Sequence, residues 1–315
     1  MAEFVRRVDQ AADRLADFVI NTPVLSVSGL DDVYVKCDQL QSIGSFKVRG
    51  VLNWALQLSD EKRQRGLLTN SAGNTAQALA YAARLLNTSA EAIMPVSVPL
   101  KKLRCFEQLG GQARKVSMQE LFDFMRNDEW NNESKAFCHP WIEPKVHEGH
   151  ATVIKEVLDV MTPSTVYVPV GGGGLCLGVA QYVKQVAPTC RVIGVQAELC
   201  APMYELFHGT DHQDSSNEKK EKTLCDGIAV PFVDPRNARP FLQYVDGITK
   251  VSEHDVKVAL LKLLDMGLLV EPSAAVALAA ASMEPKETRG KSVVILTGRG
   301  IDRSTLTEIL REFEH

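Results

Sequence analysis

Two segments of the sequence carry chemistry by residue type alone. The first is Ser42-Ile-Gly-Ser-Phe-Lys47-Val-Arg-Gly50, which sets a lysine between a glycine-containing turn and an apolar helix pattern. An amine buried there loses hydration, so its pKa falls, its neutral nucleophilic fraction grows, and it can form a Schiff base. Read alone, the segment also fits a lysine on a helix surface. The second is Gly171-Gly-Gly-Gly174, which follows an apolar strand pattern ending at Val170 and precedes the helix-like Leu175-Cys-Leu-Gly-Val-Ala. Amides free of Cβ atoms converge on an anion, and a following helix terminus adds its positive end; the other reading is a tight turn between sheet and helix. The run lacks a Gly-Lys-Ser/Thr ending, and Cys176 or Leu177 stands where G-x-G-x-x-G needs its last glycine. A small phosphate-bearing cofactor fits this cup better than ATP or NAD.

Taken together, a lysine and a phosphate cup are what pyridoxal phosphate requires, because its aldehyde is held covalently while its phosphate anchors the far end. Between them in sequence lies Thr69-Asn-Ser-Ala-Gly-Asn74-Thr75, small and polar, followed at once by a helix pattern. Asn or Thr here caps that helix. Alternatively Ser71, Ala72, Gly73 and Thr75 present amides to an α-carboxylate while Asn74 reaches the phenolic oxygen of the cofactor. The roles are compatible, since unsatisfied donors at a helix start favour a carboxylate. Arg49 is read as packing or pairing at the surface.

The elements that must position these residues alternate. Val33–Cys37, Ala92–Pro95, Thr165–Val170, Arg191–Val195 and Ser292–Leu296 read as strands, and helix patterns cover 45–58, 76–86, 100–109, 152–160, 178–186, 253–264 and 303–313. Buried strands with crossover helices give a parallel-sheet α/β protein with its chemistry at the carboxyl ends of strands. The first nineteen residues read as an amphipathic helix and not as a secretory signal. The polar stretch Gly209–Lys222 reads as a solvated loop. Lys plus Arg number 35 and Asp plus Glu 39, a net charge of -4, which offers nucleic acid no basic footprint. No stretch reaches the length of a membrane span. Seven scattered cysteines without a C-x-x-C pair read as reduced core thiols of a cytoplasmic protein.

In these motifs the chain resembles the fold-type II pyridoxal-phosphate enzymes, and most nearly the serine/threonine dehydratases. SFKVRG around Lys47 is similar to that family's Schiff-base motif, SAGN at Ser71–Asn74 to its carboxylate loop, and GGGGL at Gly171–Leu175 to its phosphate loop. Similar segments continue through CDGIAV (225–230), VEPSAAVALAA (270–280) and VVILTGRGID (293–302). The resemblance implies two open twisted-sheet α/β domains with the cofactor in the cleft between them. Residues 1–59 and 145–315 would form the large cofactor-binding domain and 60–144 a small domain that closes on substrate. Lys47 would hold pyridoxal phosphate and remove the α-proton. Asn74 would contact the ring hydroxyl, Gly171, Gly172, Gly173, Gly174 and Leu175 the phosphate, and Thr297 the pyridine nitrogen. Phe46 would pack beside the ring, with Glu271 near it. The implied reaction is β-elimination from a small amino acid such as L-serine or L-threonine, giving a 2-oxo acid and ammonia, in a homodimer.

The pattern departs from that family at four places. Thr75 stands where histidine often follows the loop asparagine. TGRG replaces SGGN, so Arg299 brings charge close to the cofactor end and Gly300 removes an amide. The GQGT-like turn reads Gly149-His-Ala-Thr152, so His150 is expected either to supply a compensating substrate contact or to be a partly exposed turn residue. Racemases of the group are expected to carry serine at the position of Ala72, and a methyl transfers no proton. In the segment where metal-dependent relatives use acids, Gln196 and Pro202 occupy the acidic positions and Glu198 alone cannot build a divalent site, so no such metal is expected. Backbone carbonyls leave a monovalent cation open. The competing functions are β-replacement of cysteine-synthase type and a non-catalytic amino-acid-binding relative.

Overall fold

The continuous apolar runs become the strands of two sheets. The structure, a computed structural model, describes residues 3–210 and 222–314. The strands are β1 (Val24–Ser26), β2 (Val33–Lys36), β3 (Leu67–Asn70), β4 (Ala90–Pro95), β5 (Gly111–Val116), β6 (Ala136–Phe137), β7 (Thr165–Pro169), β8 (Arg191–Ala197), β9 (Gly247–Val251) and β10 (Ser292–Ile295). Six make one sheet in the order β1-β2-β10-β7-β8-β9, parallel except for the edge pair β1/β2. The other four, β5-β4-β3-β6, form a wholly parallel sheet from residues 67–137. Every residue of β7 and β10 is buried, as strands covered by helices on both faces must be. The protein is therefore built of two α/β domains.

Helix placement follows from packing. The helix Glu3–Leu15 buries Val5, Val8, Ala11 and Leu15 along one stripe, as its amphipathic pattern requires. The helix Pro272–Met283 is apolar on every side and buries ten residues in the core of the six-stranded sheet. The helix Lys47–Leu56 sends Val51, Leu52, Trp54 and Ala55 into the core around the four-stranded sheet, beside Leu67 and Leu79. The chain around residue 152 corrects the sequence reading: the helix there runs Pro144–Leu158, so Gly149–Thr152 is not a turn. Gly149 is helical because that helix crosses the Lys47 helix at backbone contact. A Cβ on Gly149 would lie 2.5 Å from Arg49 O and 2.8 Å from Gly50 Cα. Its other side meets the helix Gly174–Val186, where a Cβ on Gly178 would lie 2.5 Å from His147 O. One helix thus spaces the lysine helix from the helix behind the glycine run.

All seven cysteines are free thiols, five of them buried. Of the polar stretch Gly209–Lys222, residues 211–221 lie outside the described residues. No helix among the described residues is long and apolar enough to cross a membrane.

Candidate active site

Lys47 opens its helix, and the residues before it are tied to the carboxyl end of β10. Phe46 N donates to Thr297 O at 3.0 Å, Ser45 bridges Gly298, and Arg299 N donates to Gly44 O at 3.0 Å. The amine is half-buried, sits 5.0 Å from the centroid of the Phe46 ring, and makes no hydrogen bond or ion pair among the described residues. Burial lowers its pKa from 10.5 to about 8, with Cys138 and Glu271 acting the other way. A neutral amine is therefore accessible just above neutrality.

The glycine run follows β7 and faces the same cavity. Among the described residues, the amides of Gly171 to Leu175 donate to no protein acceptor. Four are glycine amides and the last two start a helix, which is the electrostatic arrangement that anions seek. Gly172 has no room for a side chain: a Cβ would lie 2.3 Å from Cγ and Cδ1 of Trp141. Gly173, at φ +92°, needs the backbone freedom of glycine. Gly172→Ala is expected to cost cofactor affinity tenfold or more, on the order of the 1–3 kcal/mol of an overpacked contact; equilibrium titration of the apoprotein reads it.

The loop Ser71–Gly73 leads from β3 into the helix Asn74–Leu85. The first-turn amides of Asn74 and Thr75 have no acceptor among the described residues, while Gly73 N donates to Ser71 Oγ at 3.2 Å. Asn74 Nδ2 donates to both oxygens of Glu271, at 3.0 and 3.3 Å, and Gly300 N donates to Glu271 Oε2 at 3.0 Å. Burial still pushes the Glu271 carboxyl above its usual range. The loop, the lysine, the glycine run and Thr297 line one cavity.

Comparison with known proteins bears on what fills it. The pattern of the pyridoxal-phosphate dependent enzyme family matches residues 15–298. The chain belongs to the fold-type II pyridoxal-phosphate enzymes. Its relatives include the L-threonine ammonia-lyase of Thermotoga maritima, 33% identical over 294 residues that cover 92% of this chain and 72% of that one. The serine racemase of Schizosaccharomyces pombe is 31% identical over 94% of this chain and 93% of its own. Among solved structures, the processed threonine deaminase isoform 2 of Solanum lycopersicum superposes with a TM-score of 0.87 at 28% identity, covering 99% of this chain and 94% of that one.

The residues of this pyridoxal-phosphate enzyme fit its cofactor. Orphaned amides at 171–175 suit a phosphate, the free amine of Lys47 suits an aldehyde, and the hydroxyl residue Thr297 suits an unprotonated ring nitrogen. Phe46, Glu271, Ser71, Ala72, Gly73, Asn74 and Thr75 join them in the cavity lining. Asn74 is committed to Glu271 through its amide nitrogen, a tie the sequence reading did not include.

Two readings are corrected. His150 does not reach the cavity. It is 1% exposed within the helix Pro144–Leu158, its ring 4.7 Å from that of Phe46, because the helix runs beneath the Phe46–Gly50 segment. Burial holds it well below the ordinary histidine pKa. Arg49 is not at the surface but fully buried against Asp38 and Glu156. Arg299 is exposed, lies over Gly44, and lines an adjoining cavity that shares Asn74 and Glu271 with that of Lys47. Sequence reasoning also missed Trp141, which walls the glycine run from 30 residues upstream, and Lys102 and Asp226, paired at 2.5 Å in the lining. CDGIAV hinted at Asp226; nothing local marks Trp141.

Proposed function

We propose that the enzyme catalyses β-elimination on a β-hydroxy amino acid such as L-serine or L-threonine, releasing a 2-oxo acid and ammonia. Bound pyridoxal phosphate supplies an electron-withdrawing ring that acidifies the α-carbon of an amino acid. The chain supplies the rest. The free amides at Asn74 and Thr75, at a helix start, hold the substrate carboxylate. The Lys47 amine, neutral above about pH 8, takes the α-proton at Nζ. Trp141 and Phe46 give the cavity aromatic walls. Thr75 carries no group that titrates near neutrality, and the 171–175 amides hold the phosphate that would supply the proton the departing hydroxyl takes.

Position 72 carries the choice of elimination. It lies in the cavity lining and presents only a methyl group, so position 72 offers no proton to rebuild the α-carbon in mirror image. The names of the relatives, ammonia-lyases and threonine deaminase beside serine racemase, support the same substrate class. In this reading residues 60–144 form the unit that closes on substrate, and the protein works as a homodimer.

The test is a panel of β-hydroxy amino acids offered to the holoenzyme, with and without an added thiol, keto products identified by mass spectrometry and ammonia counted. We expect one keto acid and one ammonia per substrate consumed, unchanged by thiol. A dominant thioether product would establish replacement instead, and a racemised but otherwise intact substrate would overturn the reading of position 72.

A further inference from the structure

The glycine run has no side chains with which to hold its own shape, and a residue outside the cavity does it. Asn237 belongs to the helix Pro235–Tyr244 and is 2% exposed. Its Nδ2 donates to Gly172 O at 2.8 Å and to Trp141 O at 2.9 Å, which uses both amide hydrogens. His147 approaches the same Trp141 carbonyl through Nε2 at 2.5 Å. A carbonyl only accepts, so the ring carries its proton there. Burial lowers the His147 pKa and keeps the ring neutral.

Each of these bonds fixes more than the atom it touches. A trans peptide holds its C=O antiparallel to the next N–H. Anchoring Gly172 O on Asn237 therefore turns the Gly173 N–H away from Asn237, toward the cavity that the run lines. Without that anchor the peptide between two glycines is free to rotate, since neither residue restricts its dihedrals. The second bond acts on the wall. Trp141 lies against Gly172 at distances that leave no room for a Cβ, so the ring and the peptide must keep their relative places. By holding the Trp141 carbonyl and the Gly172 carbonyl with one amide group, Asn237 ties the floor of the cup to its side.

We infer that Asn237 is a positioning residue for the cofactor phosphate: it aims the Gly173 amide and seats the Trp141 wall without lining the cavity itself. The inference rests on the chain being a pyridoxal-phosphate enzyme and not on which reaction it performs. It is read at the phosphate, by comparing pyridoxal phosphate with pyridoxal, which has the same aldehyde and no phosphate.

The experiment titrates apoprotein with each aldehyde and follows the borohydride-sensitive absorbance. Asn237→Ala should weaken pyridoxal phosphate by roughly 10- to 100-fold, the loss of two buried hydrogen bonds, and pyridoxal by less than about threefold. The phosphorus resonance of the bound cofactor should shift in the variant. Asn53→Ala is the control. Asn53 is also fully buried and donates to a backbone carbonyl, Lys145 O at 2.6 Å, but at a site away from the cup. Its loss should leave the ratio of the two affinities where it is in the parent. If Asn237→Ala does not fold, the isosteric Asn237→Asp, which presents a carboxylate to the two carbonyls, carries the same comparison. Equal weakening of both aldehydes, or an unchanged affinity for pyridoxal phosphate, would overturn the assignment.

Discussion

Lys47→Ala is expected to lower turnover by about a thousandfold or more, the range that a positioned proton acceptor contributes, and to abolish the pyridoxyl label that borohydride leaves on this residue. The fold should survive, because Nζ makes no hydrogen bond or ion pair among the described residues. The pH dependence follows from the sign of the shift. Burial holds the folded-state pKa near 8 against 10.5 for the free amine. The folded chain therefore binds this proton less tightly than the unfolded chain, and protonation opposes folding. The apoprotein of the variant should be more stable than the parent apoprotein below pH 8, and the advantage should fade as pH rises toward 10.5. Reaction of parent apoprotein with free pyridoxal phosphate should accelerate through pH 8 instead of pH 10.5. Retention of a tenth of the parent turnover, or a label elsewhere in the chain, would remove Lys47 from both of its roles.

What the sequence reveals of this site depends on how local each determinant is. The lysine turn, the asparagine loop and the glycine run are contiguous, and each needs particular residue types at adjacent positions, so all three are legible. The buried apolar strands β7 and β10 are legible too, because they need apolar residues on both faces, whereas β3, equally buried, ends in Thr69 and Asn70 and gives no apolar run. β5, Gly111–Val116, is not legible either, since its polar residues on a half-covered sheet give no apolar run. The helix Pro272–Met283 is not legible as a helix, because an element apolar all round has no 3.6-residue periodicity. The place of His150 is hidden for a related reason. Glycine inside GHAT looks like a turn signal, whereas Gly149 is there to let two helices touch. Asn237 and Trp141 act on Gly172 across 65 and 31 residues of chain, and no spacing rule reaches that far.

Arg49 is the strongest case of a residue whose neighbours only the fold brings in, and its removal should cost the most stability. Lys47 and Arg49 are two residues apart on one helix, so their side chains leave on nearly opposite faces, one to the cavity and one to the interior. Arg49 is fully buried and donates to both oxygens of Asp38 at 2.8 Å, to Glu156 Oε1 at 2.6 Å and Oε2 at 2.8 Å, and to Thr152 Oγ1 at 3.1 Å. Lys36 completes the cluster on Glu156 at 2.5 Å. The cluster joins the end of β2, the lysine helix and the helix Pro144–Leu158, which are the elements that set the distance from the amine to the glycine run. Arg49→Ala leaves Asp38 buried with, among the described residues, only Thr22 and Gln41 as side-chain hydrogen-bond partners. Breaking a buried pair in this way costs about 3–5 kcal/mol, a melting temperature roughly 5–8 °C lower for a chain of this size. The pH trend should also reverse. In the parent, burial pushes Asp38 up but the Arg49 charge and hydrogen bonds bring it below the ordinary carboxylate range. The pair's contribution is thus complete above the ordinary carboxylate pKa of 3.8 and is lost as pH falls through the lowered one. In Arg49→Ala burial acts with far less opposition, the carboxyl moves up, and its protonation relieves the buried charge. The stability difference between parent and variant should therefore narrow as pH falls from 7 toward 4. A deficit in the denaturant midpoint worth less than about 1 kcal/mol, or one that widens on acidification, would show that the cluster is not what holds the lysine helix in place.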